Sequence, residues 1–492
     1  MTDSSPDMNN PETFDVVIIG AGFAGINCAY RLLKQQPGTS FVILDGRDSI
    51  GGVWDQFRYP GVRSDSQVYT YGLAWHRWPF TKPIAQGSEI MEYLHDAVSK
   101  HRIDDRIRFR HKVSGVDWSS ERQEWTVTAA IADYQGREQQ SRGCVARWII
   151  MGTGYVDYES PIDPDIPGLN TFKGRVVHPQ NWPRDFSYAN QKLALIGSGA
   201  TAVSLLPAIA KEAGQVTMIQ RSPTYVVARP CQEASAWAPR RLLLTWRWLF
   251  YMINPYLLVL LCQRSPNMVR EGLTKDAAKE LPAHVPVDPY FTPRYDPWRQ
   301  RMCLDPNAAF FRAFHRPNVR LITGEIAAVT DHGIRMRDGE TVDADVIITA
   351  TGHRMVLGGN IGIQVDGKDI AWGGRFIWNG CMLDGVPNLM FMLGYTNNSW
   401  TLGSDNTAMC LVRLTSYMRR NGARSAVPRV PEAVATGGTQ SIWQLESTYV
   451  REAQGRLPVC GNTGPWKPKN RPPIDWLYAR WGSATADLEF SM

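Results

Sequence analysis

Twice in this 492-residue chain an apolar, β-branched run ends in a glycine-rich turn, passes into a helical stretch and is followed by a second apolar run. Phe14-Asp15-Val16-Val17-Ile18-Ile19 leads into Gly20-Ala21-Gly22-Phe23-Ala24-Gly25; a helix to about Lys34 is broken by Pro37-Gly38, and Phe41-Val42-Ile43-Leu44 delivers Asp45. Lys192-Leu193-Ala194-Leu195-Ile196 leads likewise into Gly197-Ser198-Gly199-Ala200-Thr201-Ala202, a helix to about Ala213 and the run Val216-Thr217-Met218-Ile219. Such runs make strands of a parallel sheet buried on both faces. Gly20 permits a tight turn, Gly22 lets a pyrophosphate approach the backbone at a helix N-terminus, and Gly25 lets helix and strand pack. Ala202 stands where the second turn could carry a third glycine, which the motif tolerates. The predicted fold is α/β, with two Rossmann-like dinucleotide-binding domains.

The second strands of the two units end differently. Aligned on each other, they place Asp45 opposite Gln220, with Arg221 and Ser222 next. A carboxylate accepts the hydroxyls of an unphosphorylated ribose and repels a 2′-phosphate, whereas a cation and a hydroxyl suit one. The first site therefore reads as FAD and the second as NADPH.

At roughly 150 residues per domain, the length predicts about three domains. Asp345-Val346-Ile347-Ile348-Thr349 before Ala350-Thr351-Gly352 matches Trp148-Ile149-Ile150-Met151 before Gly152-Thr153-Gly154. Both passages sit where a chain would leave one domain for another, so the second unit is expected to be inserted in the first. The expected divisions are a disordered tail at 1–13, the first part of the FAD domain at 14–155 and a linker at 156–190. The NADPH domain follows at 191–340 with an apolar helical insert at about 226–295, and the FAD domain resumes with a C-terminal segment at 341–492.

Composition narrows the partners. The 53 basic and 47 acidic residues leave a net charge of only +6, with no run of five or more like charges, which argues against nucleic acid. Eight scattered cysteines form no Cys-x-x-Cys pair and have no histidine at ligand spacing, so no structural metal, disulfide framework or dithiol centre is expected, and a reducing, cytoplasmic setting is. The N-terminal residues contain no apolar run and read as neither signal nor transit peptide. The 18 Trp, 18 Tyr and 16 Phe fit an apolar ligand cleft as well as a large core. Leu242 to Cys262 is nearly long enough to span a bilayer. Arg247 and the Asn254-Pro255 break oppose a span, and two helices covering the active site are expected, with peripheral contact to a membrane as the second reading.

Between the two nucleotide motifs, Phe172-Lys173-Gly174-Arg175-Val176-Val177-His178-Pro179-Gln180-Asn181-Trp182-Pro183 fits F-x-G-x-x-x-H-x-x-x-W-P, and here the chain resembles the type I Baeyer–Villiger monooxygenases. Flavin monooxygenases that mainly oxygenate nitrogen and sulfur usually have Tyr and a basic residue in place of Trp182-Pro183. The likeness extends through Gly51-Gly52-Val53-Trp54-Asp55, Arg58-Tyr59-Pro60-Gly61-Val62-Arg63-Ser64-Asp65-Ser66 and Gly394-Tyr395-Thr396-Asn397-Asn398-Ser399-Trp400. It is strongest to the ethionamide-activating branch, which shares Asp55, the Arg-Ser-Asp-Ser tetrad, the run from Gln220 to Tyr225 and Gly464-Pro465-Trp466. That branch more often has Glu where this chain has Asp45, and its 236–264 region is less apolar.

The resemblance implies an FAD- and NADPH-dependent oxygenase that uses O2 to insert an oxygen atom beside the carbonyl of a lipophilic ketone. Oxygenation of a sulfide, thioamide or amine is the alternative. It places Arg301 at the family's catalytic arginine and Asp65 at its flavin-side aspartate, and adds Gly52, Trp54, Asp55 and Tyr71 to the cofactor contacts. His178 falls on the interdomain linker, where the resemblance implies a role in coupling domain motion to NADPH and not in general-base catalysis; a histidine bonded to backbone in the hinge is the alternative. A disulfide reductase on the same fold would need a cysteine pair beside the flavin. The substrate pocket is expected from residues 223–300 and from loops around Trp378, Leu383 and Trp400.

Overall fold

The computed structural model describes residues 11–79, 82–132, 138–231 and 240–492, and in it the two β-branched runs lie at the heart of two separate sheets. The strand Glu12–Ile19 pairs in parallel with Phe41–Leu44 on one side and with Glu138–Met151 on the other, Val16 lying opposite Phe41 and Ile18 opposite Ile43. Period-two alternation then divides its side chains between layers. Val16 and Ile18 pack with Ile26 and Leu32 of the following helix, Phe23–Gln35, whereas Val17 and Ile19 pack with Trp118, Trp125 and Val127 of an antiparallel meander. With both faces covered, the buried part of the run, Val16 to Ile19, has no polar position.

Among the described residues this first sheet has nine strands. The meander His111–Ser119, Glu124–Ala132 and Glu138–Met151 extends it, and two late segments join it: Gly362–Val365 beside His111–Ser119, and Leu389–Phe391 beside Glu138–Met151. The second sheet is wholly parallel, in the order Val319–Thr323, Gln215–Gln220, Lys192–Ile196, Val346–Thr349 and Arg175–Val177. The second unit is thus inserted in the first, as its sequence implied.

Three boundaries differ from expectation. The first strand begins at Glu12, with Glu12 and Thr13 paired to Cys144 and Val145, so ordered structure starts inside the predicted tail; residues 1–10 lie outside the described chain. The second sheet takes Arg175–Val177 from the linker and Val346–Thr349 from beyond residue 340, because a parallel strand is placed by its neighbours and not by its distance along the chain. The apolar stretch forms one helix, Arg240–Arg264, that runs through Pro255 instead of two helices flanking it. Pro255 removes one donor and crowds the carbonyls of the preceding turn. Asn398 Nδ2 donates to the Met252 carbonyl at 2.9 Å in that turn. Packing clamps the helix on both sides of the proline, at Met252 against Tyr395 and Leu402, and at Cys262 against Tyr225 and Met302. Among the described residues, no helix is long and apolar enough to cross a membrane.

Candidate active site

Both glycine turns open onto one cavity of about 1790 Å³ lying between the two sheets. Gly20 adopts φ +103° and Gly197 φ +130°, left-handed values that favour glycine. A Cβ at Gly25 would lie 1.9 Å from the Gly20 carbonyl oxygen, so the helix closes on its strand only if that position has no side chain. Gly22 and Gly199 are the N-caps of Phe23–Gln35 and Ala200–Ile209; neither helix start has a side-chain cap or an acidic residue in its first turn. A Cβ at Gly199 would meet nothing within 4 Å, and one at Gly22 only Gly52 Cα at 3.9 Å. Two helix N-termini with uncapped N–H groups thus face open space, which suits two pyrophosphates. Phe23, Ala24, Ser198, Ala200 and Thr201 line the cavity with them, while Gly25 and the fully buried Ala202 lie behind the wall.

Asp45 is nearly buried, and its two oxygens accept the Ala21 and Arg47 N–H groups at 2.7 and 2.8 Å. Burial raises its pKa against those two bonds. Each carboxylate oxygen has a further lone pair, so Asp45 can brace the glycine turn and accept a ribose hydroxyl. Asp55 does not line the cavity; it pairs with Arg47 and, at 2.8 Å, with Arg58. Burial would raise the Asp55 pKa, but the bonds from Arg47 and Ser49 hold it below the usual carboxylate range. The Trp54 indole donates to Tyr71 Oη at 2.5 Å, and Tyr71 lies against Phe23 with ring centroids 4.9 Å apart, an aromatic wall beside Gly52.

At the second turn Gln220 is buried and donates to the Tyr290 carbonyl and to Thr323 Oγ1, so it serves the sheet. Arg221 and Ser222 are exposed on the cavity rim, and the Ser222 carbonyl accepts the Ser198 hydroxyl at 3.0 Å.

Arg301 and Asp65 line the same cavity from different parts of the chain. The Asp65 turn is closed by Ser64, whose hydroxyl accepts the Ser66 N–H at 3.0 Å, and Arg63 donates across the molecule to the Leu304 carbonyl at 2.8 Å. That bond ties the aspartate's turn to the strand Cys303–Pro306 immediately after Arg301. Burial opposes the Arg301 charge, yet attraction to Asp65, then to Tyr155, Tyr449 and Cys303, more than offsets it and raises the pKa. Arg301 is thus a cation on the cavity wall whose strongest attraction is to the Asp65 carboxylate. Among the described residues no ion pair at contact distance occupies its guanidinium.

None of the five fingerprint residues Phe172, Gly174, His178, Trp182 and Pro183 lines the cavity. A Cβ at Gly174 would strike the Asp345 carbonyl oxygen at 2.3 Å, and Trp182 packs edge-on against Phe186 and Tyr188. His178 Nε2 meets the Gly352 carbonyl at 3.2 Å, next to His353, whose pKa burial lowers to about 4 with help from the His178 charge. Trp400 lines the cavity, as do Pro223, Thr224, Tyr295 and Gln300 from the expected pocket segment, but Trp378 and Leu383 do not. Both are fully buried, and the Trp378 indole donates to the Ala486 carbonyl at 2.7 Å. Residues that motif reading missed include Arg47, Tyr155, Thr351 and Tyr449, all on the cavity wall. Arg47 Nε and Thr351 Oγ1 are buried without a partner, as expected of groups that wait for a polar ligand. Only the position of Arg47, two residues after Asp45, was a usable signal.

All eight cysteines are free, and only Cys303 lines the cavity, so among the described residues no thiol pair faces it. The family model for pyridine nucleotide-disulphide oxidoreductases nevertheless matches residues 14–243, the span that contains both glycine turns. Among solved structures, OTEMO in complex with FAD and NADP superposes with a TM-score of 0.76 at 22% identity, covering 98% of this chain and 100% of that one. Cyclohexanone monooxygenase bound to ε-caprolactone superposes with a TM-score of 0.74 at 23% identity, again over 98% of this chain and 100% of that one. These likenesses establish the fold. The FAD-containing monooxygenase EthA of Mycolicibacterium smegmatis is 37% identical over 468 residues, 93% of either chain. With 37% identity over 93% of either chain, the chain belongs to the FAD-containing monooxygenases.

Proposed function

We propose that the enzyme takes electrons from NADPH and inserts one atom of O2 beside the carbonyl of a lipophilic ketone, giving an ester or lactone. The observation that carries this reading is Arg301, a cation in the cavity wall sustained by Asp65. Bound flavin, once reduced, supplies the oxygen-activating centre. Gly22 and the helix start behind it hold its pyrophosphate, Asp45 its ribose, and Trp54 and Tyr71 one wall. Gly197 to Thr201 hold the second pyrophosphate, and Arg221 with Ser222 the 2′-phosphate. Arg301 offers its guanidinium to the substrate's carbonyl oxygen as negative charge develops there. Attraction to Asp65 offsets the cost of holding that guanidinium in the cavity wall.

The test is conversion of a ketone panel with NADPH under isotopically labelled O2. Label in an ester or lactone supports the reading; hydrogen peroxide as the only product defeats it. Oxygenation of a sulfide, thioamide or amine is the second reading, favoured by the sequence likeness to the ethionamide-activating branch. Arg301→Ala separates the two. Ketone turnover should fall by roughly a hundredfold or more, whereas heteroatom oxygenation, which develops no carbonyl oxyanion, should persist.

A further inference from the structure

Eight of the eleven large apolar side chains exposed among the described residues lie on two helices. Leu249, Phe250, Leu257 and Leu261 recur at helical spacing on Arg240–Arg264, with Trp246 stacked on Phe250. Ile474, Leu477 and Trp481 do so on Pro472–Trp481, with Trp481 69% exposed. The helices touch, the Trp248 and Trp476 rings meeting edge-on at 5.6 Å. The opposite face of the first helix is buried through Arg247, Met252, Val259 and Cys262. It is an amphipathic helix whose apolar stripe faces outward.

Charge selects what covers that stripe. The helix carries four arginines and no Asp or Glu; Arg247 is buried, while Arg240 and Arg241 stand at its start and Arg264 at its end. Lys467 and Arg471 precede the second helix and are exposed. A two-fold contact between two copies of this helix would set its end arginines against their counterparts, and the helix itself has no carboxylate to pair with them. An anionic bilayer satisfies both the stripe and the charges. The buried face packs on segments that lead to the cavity: Arg247 donates to Tyr69 Oη at 3.0 Å two residues before the cavity-lining Tyr71, and Asn398 holds the Met252 carbonyl two residues before the cavity-lining Trp400.

We infer that these two helices seat the enzyme on an anionic lipid surface, with Arg240–Arg264 lying in the plane of the interface and its inner face packed on segments that lead to the reaction cavity. Delivery of lipophilic substrate from the bilayer follows if the proposed function holds. The experiment sediments the full-length holoenzyme with vesicles of phosphatidylcholine alone or of phosphatidylcholine with phosphatidylglycerol. Binding to the anionic vesicles, weakened by salt, is the expected result. Leu257→Glu and Leu261→Glu alter exposed positions; each should lower vesicle partition by about tenfold, with flavin content and turnover of a water-soluble substrate in vesicle-free buffer unchanged. Failure of the holoenzyme to bind either vesicle, parental binding by the double variant, or a dimer that the two substitutions dissolve would each overturn the inference. Vesicle binding by an enzyme that oxygenates neither ketone nor sulfide upholds the docking and defeats the proposed function.

Discussion

The two dinucleotide sites share a plan and differ in tolerance. In both, a parallel strand ends in a glycine of positive φ and an uncapped helix begins over open space. At the third motif position the first site has no room for a methyl group, since a Cβ on Gly25 would overlap the Gly20 carbonyl, whereas the second site buries the Ala202 methyl completely. At the end of the second strand the roles invert. Asp45 is drawn inward to brace its own turn, while Gln220 is absorbed by the sheet and leaves Arg221 and Ser222 at the rim. Under the proposed function, one backbone solution for pyrophosphate would carry two ribose preferences, decided by which side chain remains available to the ligand.

The largest effect expected from this contrast is at Gly25. Gly25→Ala forces strand and helix apart at a cost of about 3 kcal/mol or more, and the purified variant should lack flavin absorbance; full flavin content would show that the first turn has the slack of the second. Next is Arg221→Ala. Loss of a charge-assisted contact to a phosphate, about 2 kcal/mol, should raise KM for NADPH roughly thirtyfold and leave KM for NADH nearly unchanged; equal changes for both coenzymes would remove the 2′-phosphate role.

A smaller effect concerns the seam between the sites. Burial holds His353 neutral in the fold, with its pKa at about 4 against an ordinary 6.5. The folded state therefore binds this proton less readily than the unfolded chain. The stability it contributes is complete above pH 6.5 and is lost as pH falls from 6.5 toward 4. The melting temperature should drop across that window, and His353→Gln should flatten the drop; an unchanged slope would exclude His353 as its source. The smallest effect is Ala202→Gly, which makes the second turn resemble the first. It should cost about 1 kcal/mol through helix propensity, measured by denaturant unfolding, and leave KM for NADPH unaltered.

The nested α/β plan was legible because its signals are local: β-branched runs, glycines at fixed offsets and the residue ending each second strand. The linker fingerprint was equally legible, yet its residues turn out to shape the seam behind the cavity, at Gly174 against Asp345 and His178 against Gly352. The proline in the apolar stretch misled because its disruption is a local tendency that distant packing overrode through Asn398, Tyr395 and Leu402. Trp378 and Leu383 misled for a related reason, since an aromatic-rich loop reads alike whether it lines a cleft or fills a core.

By itself, the sequence determined that the chain would form two dinucleotide-binding units, one inside the other, because backbone sterics and side-chain periodicity act between near neighbours. Only the tertiary structure decided that Arg301 would face Asp65, through a turn tied across 241 positions by Arg63 and Leu304. It alone brought Tyr155, Thr351 and Tyr449 to the same wall and turned an apolar stripe of the Arg240–Arg264 helix toward solvent. Those outcomes depend on which surfaces meet when layers pack, and burial and electrostatic attraction are then set by distance in space instead of distance along the chain.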